Sequence, residues 1–273
     1  MPPPYPVTIL PDQSYGPHGE RSLFDAYLPH GVPGPRPAVV MIHGGGWHAG
    51  NRDMFSWHGQ QLAQRGIVAL SITYRFWPEH CFPAQLEDVR RAVRWLRANA
   101  ATYAIDPERI GGMGASAGAH LGSFLALAEG PPDSDPMLAS YSSRLRCMVD
   151  FYGPVDLVAM EDTASAWAVA GLIGAPISDA LAAHEAASPI NHITPSASPF
   201  LILHGDRDLG PEPGQVPIGI SRRFHARLQA AGADATLIEI PGADHGFSVT
   251  GRAPQHLAPA WERVVPFFER HLS

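Results

Sequence analysis

The sequence predicts an α/β chain in which one mostly parallel central sheet is flanked by helices, over residues 1–273 as one domain. Three observations predict it. Short Val- and Ile-rich runs alternate with longer segments of helical periodicity, the pattern of strand–helix–strand units. A serine sits in a Gly/Ala-rich turn between one such run and the next helix. Hydrophobic residues make up 45% of the 273 and charged residues only 16%, enough apolar side chain for one large core.

The elements follow in order. Residues 22–28 read as an extended edge strand. Residues 37–42 read as a buried strand ending at a glycine loop, and 67–74 as a second strand. In 83–100, Leu86, Val89, Val93 and Leu96 recur at helix spacing, with Arg90, Arg91, Arg94 and Arg97 on the other side. That charged side reads as a solvated face laced to Glu87 and Asp88 rather than as a basic patch. A short strand at 109–113 leads into a helix at 117–128. Strands follow at 145–151, 199–204 and 235–240, with helices near 218–231 and 258–271. Residues 153–198 break the alternation with an Ala-rich, irregular stretch containing Trp167, Gly171, Gly174 and Pro176. Here the expectation is a small cap over the carboxyl ends of the strands, where ligands bind in open sheets. The alternative is a plain long connection.

Composition excludes several classes. The net charge is −7 and no block of like charge stands out, so nothing argues for nucleic acid or an anionic membrane surface. No apolar run approaches the roughly 20 residues of a membrane span. The start at Met1 has neither a basic n-region nor an apolar h-region, so the expected location is cytoplasmic, with secretion open to a chain whose leader was removed. Cys81 and Cys147 lie in no metal or redox spacing and read as two unpaired thiols, with a single bridge between them as the alternative.

The candidate nucleophile is Ser116, in Gly114-Ala115-Ser116-Ala117-Gly118. This matches G-x-S-x-G, with a strand before it and a helix after it. A turn that sharp crowds its flanks, so small residues are needed there. The serine hydroxyl then stands exposed above the sheet, with the positive end of the helix dipole beside it. A tight turn with an idle serine is the plainer alternative. His43-Gly44-Gly45-Gly46-Trp47 follows the buried strand at 37–42. Three glycines let backbone N–H groups face a ligand without side-chain obstruction. Acyl transfer needs such donors where negative charge develops. Gly45 and Gly46, with Ala117, are the expected oxyanion hole. A phosphate loop is the competing reading, but the loop has neither a Lys-Ser/Thr ending nor G-x-G-x-x-G spacing. His43 reads as an anchor for the loop.

Three segments together carry a family resemblance: His43-Gly44-Gly45-Gly46-Trp47, then Tyr74-Arg75-Phe76-Trp77-Pro78-Glu79-His80, then Phe82-Pro83-Ala84-Gln85-Leu86-Glu87-Asp88. The chain resembles, over roughly residues 20–271, the esterase/lipase group of α/β-hydrolases, which includes hormone-sensitive-lipase-like enzymes and bacterial feruloyl and acetylxylan esterases. The family's tyrosine-arginine segment usually continues with Leu-Ala, where this chain has Phe76-Trp77. The resemblance implies the α/β-hydrolase fold and the chain order Ser, Asp, His.

It also implies the partners of Ser116. The loop Pro241-Gly242-Ala243-Asp244-His245-Gly246-Phe247 holds the expected base, His245, chosen from 14 histidines. His120 and His204 read as packing or loop-capping side chains. In His204-Gly205-Asp206-Arg207-Asp208 the family pattern H-G-x-x-D selects Asp208, with Asp206, Asp150 and Asp156 as competitors. The family has Val-Pro about three residues after its aspartate. Here residues 209–215 intervene before Val216-Pro217, a short insertion. The expected activity is a serine carboxylesterase acting through an acyl-enzyme, with no metal or organic cofactor. A small cap and the aromatics Trp47, Phe76 and Trp77 as pocket walls suggest short-chain or aryl esters, including acetylated or feruloylated carbohydrate. The alternatives are an amidase of formamidase type with the same triad, and a non-catalytic binding protein on a hydrolase fold.

Overall fold

The computed structural model describes residues 4–249, 251 and 253–273; Met1 to Pro3, part of the start read above for a leader, lie outside the described residues. Among the described residues eight strands form one sheet: β1 Val7–Ser14, β2 Leu23–Pro29, β3 Arg36–Ile42, β4 Val68–Ile72, β5 Ile105–Ala115, β6 Met148–Phe151, β7 Phe200–Gly205 and β8 Ala235–Ile240. Their spatial order is β1-β2-β4-β3-β5-β6-β7-β8. The pairings β1–β2 and β2–β4 are antiparallel and the other five are parallel. This is the α/β-hydrolase arrangement.

Alternation along the central strands divides the core. In β3, Ala38, Val40 and Ile42 face one side, while Val39 and Met41 face the other. In β7, Phe200 and Ile202 oppose Leu201 and Leu203 in the same way. The first side is covered by α2 (Ala84–Ala98), α3 (Ala117–Leu127) and α6 (Ile218–Ala230), the second by α1 (Ser56–Ala63) and α7 (Pro254–His271). Strands buried on both faces read as unbroken apolar runs, which is why they were legible.

Three expectations are corrected. The edge strand is β1, not 22–28. Residues 23–29 pair on both sides, whereas β1 has no buried residue and is interrupted at Pro11-Asp12, where its register shifts between Leu10 and Gln13. An edge strand has one free side, so Pro and polar residues are tolerated and no apolar run marks it. Helix α1 was not expected, since only His58, Gly59, Leu62 and Ala63 are buried in it. Gly59 is needed there because a Cβ would lie 2.4 Å from the Tyr27 ring.

The third correction concerns the arginines of α2, which are not a solvated face. The segment 129–146 lies over them. Arg94, 3% exposed, donates to the carbonyls of Tyr141 and Pro131. Arg97 donates to the carbonyls of Ser142 and Arg144, and Arg91 pairs with Asp133. Asp88 is buried against Arg75, accepting its backbone N–H at 2.8 Å and its Nε–H. A guanidinium offers five donors, so it can hold a loop without secondary structure by its carbonyls, and helical spacing alone does not distinguish that from solvation.

Between β6 and β7 lie α4 (Ala166–Ile173) and α5 (Ile177–Ala186), bent 75° to each other. Among the described residues no single helix is long and apolar enough to cross a membrane. Cys81 is exposed, Cys147 is buried, and both are free.

Three of the buried histidines are held neutral by burial. Burial presses His43 and His120 down to about 4 and His58 to about 3. A folded-state value below the unfolded 6.5 means that the unfolded chain takes up the proton first, so stability is complete above pH 6.5 and is lost as pH falls toward 4 and 3. Asp150, which burial raises to about 6, and Asp88, which burial also raises, work the other way but are two groups against three. Each unit is about 1.4 kcal/mol. The melting temperature, followed by circular dichroism, should be flat from pH 8 to 7 and fall steadily from pH 6.5 to 4. A flat curve through that window is the contrary result.

Candidate active site

The turn after β5 is set by backbone contact. A Cβ on Gly118 would sit 1.9 Å from the Ile42 carbonyl oxygen, and one on Gly114 2.5 Å from the Gly118 backbone. Only with both glycines can α3 start so close to β3. Ser116, at the N-cap of α3, has φ 53° and ψ −121°, a region strongly disfavoured for a residue with a side chain. Its N–H donates to Phe151 O at 2.8 Å and its carbonyl accepts His120 N–H at 3.0 Å, so the strained residue is held from both sides.

Ser116 Oγ lies 3.0 Å from His245 Nε2, and His245 Nδ1 lies 2.6 Å from Asp208 Oδ2. The partners assign the protons: Nδ1–H donates to the carboxylate and Nε2 accepts from the hydroxyl. Asp208 is fully buried. Its Oδ1 accepts Val216 N–H at 2.8 Å, and its Oδ2 also accepts His204 Nε2–H at 3.0 Å. Burial pushes the Asp208 carboxyl upward, but hydrogen bonds from His204 and His245 outweigh it and the net shift is downward. The carboxylate therefore stays charged where it holds the imidazole. His204 in turn places Nδ1 2.7 Å from Ser221 Oγ.

The competing carboxylates stand elsewhere. Asp206 is exposed and accepts Gly242 N–H at 2.8 Å. Asp150 is buried in β6 and accepts Gly153 N–H at 2.7 Å. Asp156 accepts Ala159 N–H at 3.1 Å and pairs with Arg223.

The glycine loop sits beside Ser116. Gly45 has φ 115°, and a Cβ there would meet Ala49 O at 2.2 Å. His43 donates from Nδ1 to the Gly44 carbonyl at 2.7 Å and stacks on Tyr74, whose hydroxyl donates to His43 O at 3.0 Å. Trp47 donates from Nε1 to His120 Nδ1 at 3.2 Å, and His120 donates from Nε2 to Ala187 O at 2.8 Å. This chain fixes the neutral tautomer of His120 and seats Trp47 against α3.

A cavity of about 310 Å³ opens over Ser116, bordered by Gly45, Gly46, Ala117 and His245. Its walls are mostly apolar: Trp47, Met54, Met160, Trp167 and Val249, with Tyr152 near the histidine. Of the three aromatics expected as walls, only Trp47 lines it. Phe76 and Trp77 stand behind the glycine loop: Phe76 packs edge-on to His43 and Trp77 donates from Nε1 to Gly46 O at 2.8 Å. They brace the loop rather than face the cavity, because Trp77 is wedged against α4, where a Cβ on Gly171 would lie 2.7 Å from its ring.

Tyr152 and Trp167 were not expected at the site. Tyr152, with φ 46°, puts its ring centroid 4.5 Å from that of His245 and bonds the Ser248 hydroxyl. Its place just past the end of β6 was the available signal, since ligands gather at strand carboxyl ends. For Trp167 the sequence carried no signal beyond the cap segment it belongs to.

Comparison with known proteins adds the family. The sequence model of the family BD-FAE matches residues 24–228. Esterase LipQ of Mycobacterium tuberculosis is 33% identical over 245 residues, 87% of this chain and 57% of that protein. The chain spans little more than half the length of the curated relatives it matches. A solved structure described as a truncated form of carbohydrate esterase from gut microbiota has a TM-score of 0.84 and 30% identity, covering 100% of this chain and 98% of that one. Thermogutta terrifontis esterase 2 phosphonylated by sarin has a TM-score of 0.77 and 25% identity over 96% of this chain and 95% of that one. Because the family model spans most of the sheet and a solved carbohydrate esterase matches the chain from end to end, the chain belongs to the BD-FAE family of α/β-hydrolase esterases.

Proposed function

We propose that the chain is a serine carboxylesterase, with Ser116 as nucleophile, His245 as base and Asp208 as the acid that orients it. One observation carries the reading: a continuous hydrogen-bonded path, 3.0 Å from Ser116 Oγ to His245 and 2.6 Å on to Asp208, at the floor of an apolar cavity. His245 Nε2 takes the serine proton as Oγ attacks the ester carbonyl, and returns it to the leaving alcohol. Donors at Gly45, Gly46 and Ala117 stabilise the oxyanion. Water then repeats the sequence on the acyl-enzyme.

The substrate class is part of the proposal. A 310 Å³ cavity is at the small end of ligand sites, so it suits a short acyl group. Trp167, 51% exposed, stands in the cavity wall, edge-on to His48 and Trp77, and offers a flat apolar surface to an aryl or sugar ring. The carbohydrate-esterase neighbour, with a solved acetyl ester-xyloside bifunctional hydrolase from Caldicellulosiruptor lactoaceticus at 25% identity, supports acetylated carbohydrate as the natural ester. The segment 153–198 acts as the cap that supplies this wall.

Ser116→Ala should melt like the parent and lose three or more powers of ten in kcat on 4-nitrophenyl acetate, the scale of losing a triad member. Near-parental turnover in a clean preparation rejects the serine mechanism. Asp208→Asn should cost about 10⁴ in kcat, the scale of trapping the wrong histidine tautomer in serine proteases, and Asp206→Asn far less. If Asp206→Asn is the more damaged enzyme at neutral pH, the acid has been misassigned. Across 4-nitrophenyl esters, kcat/KM should peak at acetate or butyrate. A steady rise to palmitate would contradict the short pocket.

A further inference from the structure

We propose that the insertion 209–215 is a clamp joining the cavity wall to the loop that carries His245, with Gln215 as its positioning residue. This rests on the reading of Ser116, His245 and Asp208 as the reacting set. The family spacing would bring Val-Pro about three residues after the aspartate, and the added residues make more than a surface turn. Gln215 is 7% exposed and uses both ends of its amide. Its Oε1 accepts Gly210 N–H at 3.1 Å and Glu212 N–H at 3.3 Å, which folds the insertion onto itself. Its Nε2–H donates to Asp244 Oδ1 at 2.7 Å. That same oxygen accepts the backbone N–H of His245 at 2.7 Å. Glutamine alone supplies an acceptor for two loop amides together with a donor for a carboxylate; isosteric glutamate has no donor.

The other end of the clamp grips the segment before α4. Ser165 Oγ–H donates to Gln215 O at 3.0 Å and its oxygen accepts Gly214 N–H at 2.9 Å. Gly210 O accepts Ala164 N–H at 3.3 Å. Ser165, Gly214, Val216 and His245 all border the cavity. The next residue, Val216, binds Asp208 Oδ1 through its N–H. Residues 215 and 216 thus hold the loop of the base and the acid at once. His245 is fixed at two points, its ring by Asp208 and its backbone by Asp244. Proton transfer between Ser116 and His245 needs that second point, because small displacements from the reactive geometry are expensive. Ester binding in the ground state does not need it.

The test is reciprocal. Gln215→Glu sets two carboxylates face to face and should lower kcat on 4-nitrophenyl acetate about tenfold or more at neutral pH, with KM little changed. In the double variant Gln215→Glu with Asp244→Asn the like-charge pair is gone, and the asparagine Nδ2–H can donate to the new carboxylate, at the expense of the His245 N–H contact to the oxygen that both groups share. Its kcat should rise severalfold above that of Gln215→Glu while staying below the parent. Asp244 is exposed, so Asp244→Ala keeps the question open should Gln215→Glu not fold, and it should show the same fall in kcat. Parental kcat in Gln215→Glu or in Asp244→Ala overturns the clamp. So does a folded double variant, checked by its melting curve, that recovers nothing. Ser116→Ala assayed alongside separates the two readings: if it is inactive while Gln215→Glu matches the parent, the esterase assignment stands and only the clamp fails.

Discussion

Asp208 is a carboxylate with no exposure to water, and a charge in that position must be matched by donors or it will not stay charged. Three donors meet it, and each comes from a different part of the chain. His204 lies on β7, Val216 follows the insertion, and His245 lies on the loop after β8. The carboxylate therefore ties the strand β7, the insertion and the loop after β8 to one point. Remove it and His245 Nδ1 loses its carboxylate partner, while His204 Nε2 is left with the Val216 carbonyl alone. The same contacts that stabilise the fold at this end of the sheet also orient the imidazole toward Ser116.

Ser116 depends on a different constraint, steric rather than electrostatic. β5 and α3 meet so closely to β3 that no side chain larger than hydrogen fits at Gly118. The strained backbone of Ser116 is the consequence, and the bond from its N–H to Phe151 O helps hold the strain. The glycine loop after β3 is braced from behind by stacked rings, His43 on Tyr74, and by the Trp77 indole on Gly46 O. Small backbone at the front and large aromatics at the back give a loop that is open to a ligand yet fixed.

The cavity is assembled last in this hierarchy. Its walls come from the glycine loop, from the start of α4, from the insertion and from the residues beside His245. None of these segments has a repeating pattern. They are held by side chain–backbone bonds such as those of Ser165 and Gln215, which a change of one residue can redirect. Ser116, His245 and Asp208 can thus stay in place while the cavity around them varies.

The sequence by itself determined the parallel centre of the sheet and helices α2, α3, α6 and α7, because strands buried on both faces carry unbroken apolar runs and α2 carries its stripe of Leu86, Val89, Val93 and Leu96. It also pointed to Ser116 and the glycine loop, since tight backbone contact admits only small residues and leaves that mark in the chain. Family spacing pointed to Asp208 and His245. The tertiary structure alone decided what long-range contact decides. It put β1 at the edge, covered Arg94 and Arg97 with the 129–146 segment, and turned Phe76 and Trp77 behind the loop while bringing Trp167 and Tyr152 to the cavity. Burial of a polar or aromatic side chain depends on which distant segment lies over it. Local periodicity records only which face of its own element a residue occupies, so those positions could be read only in the folded chain.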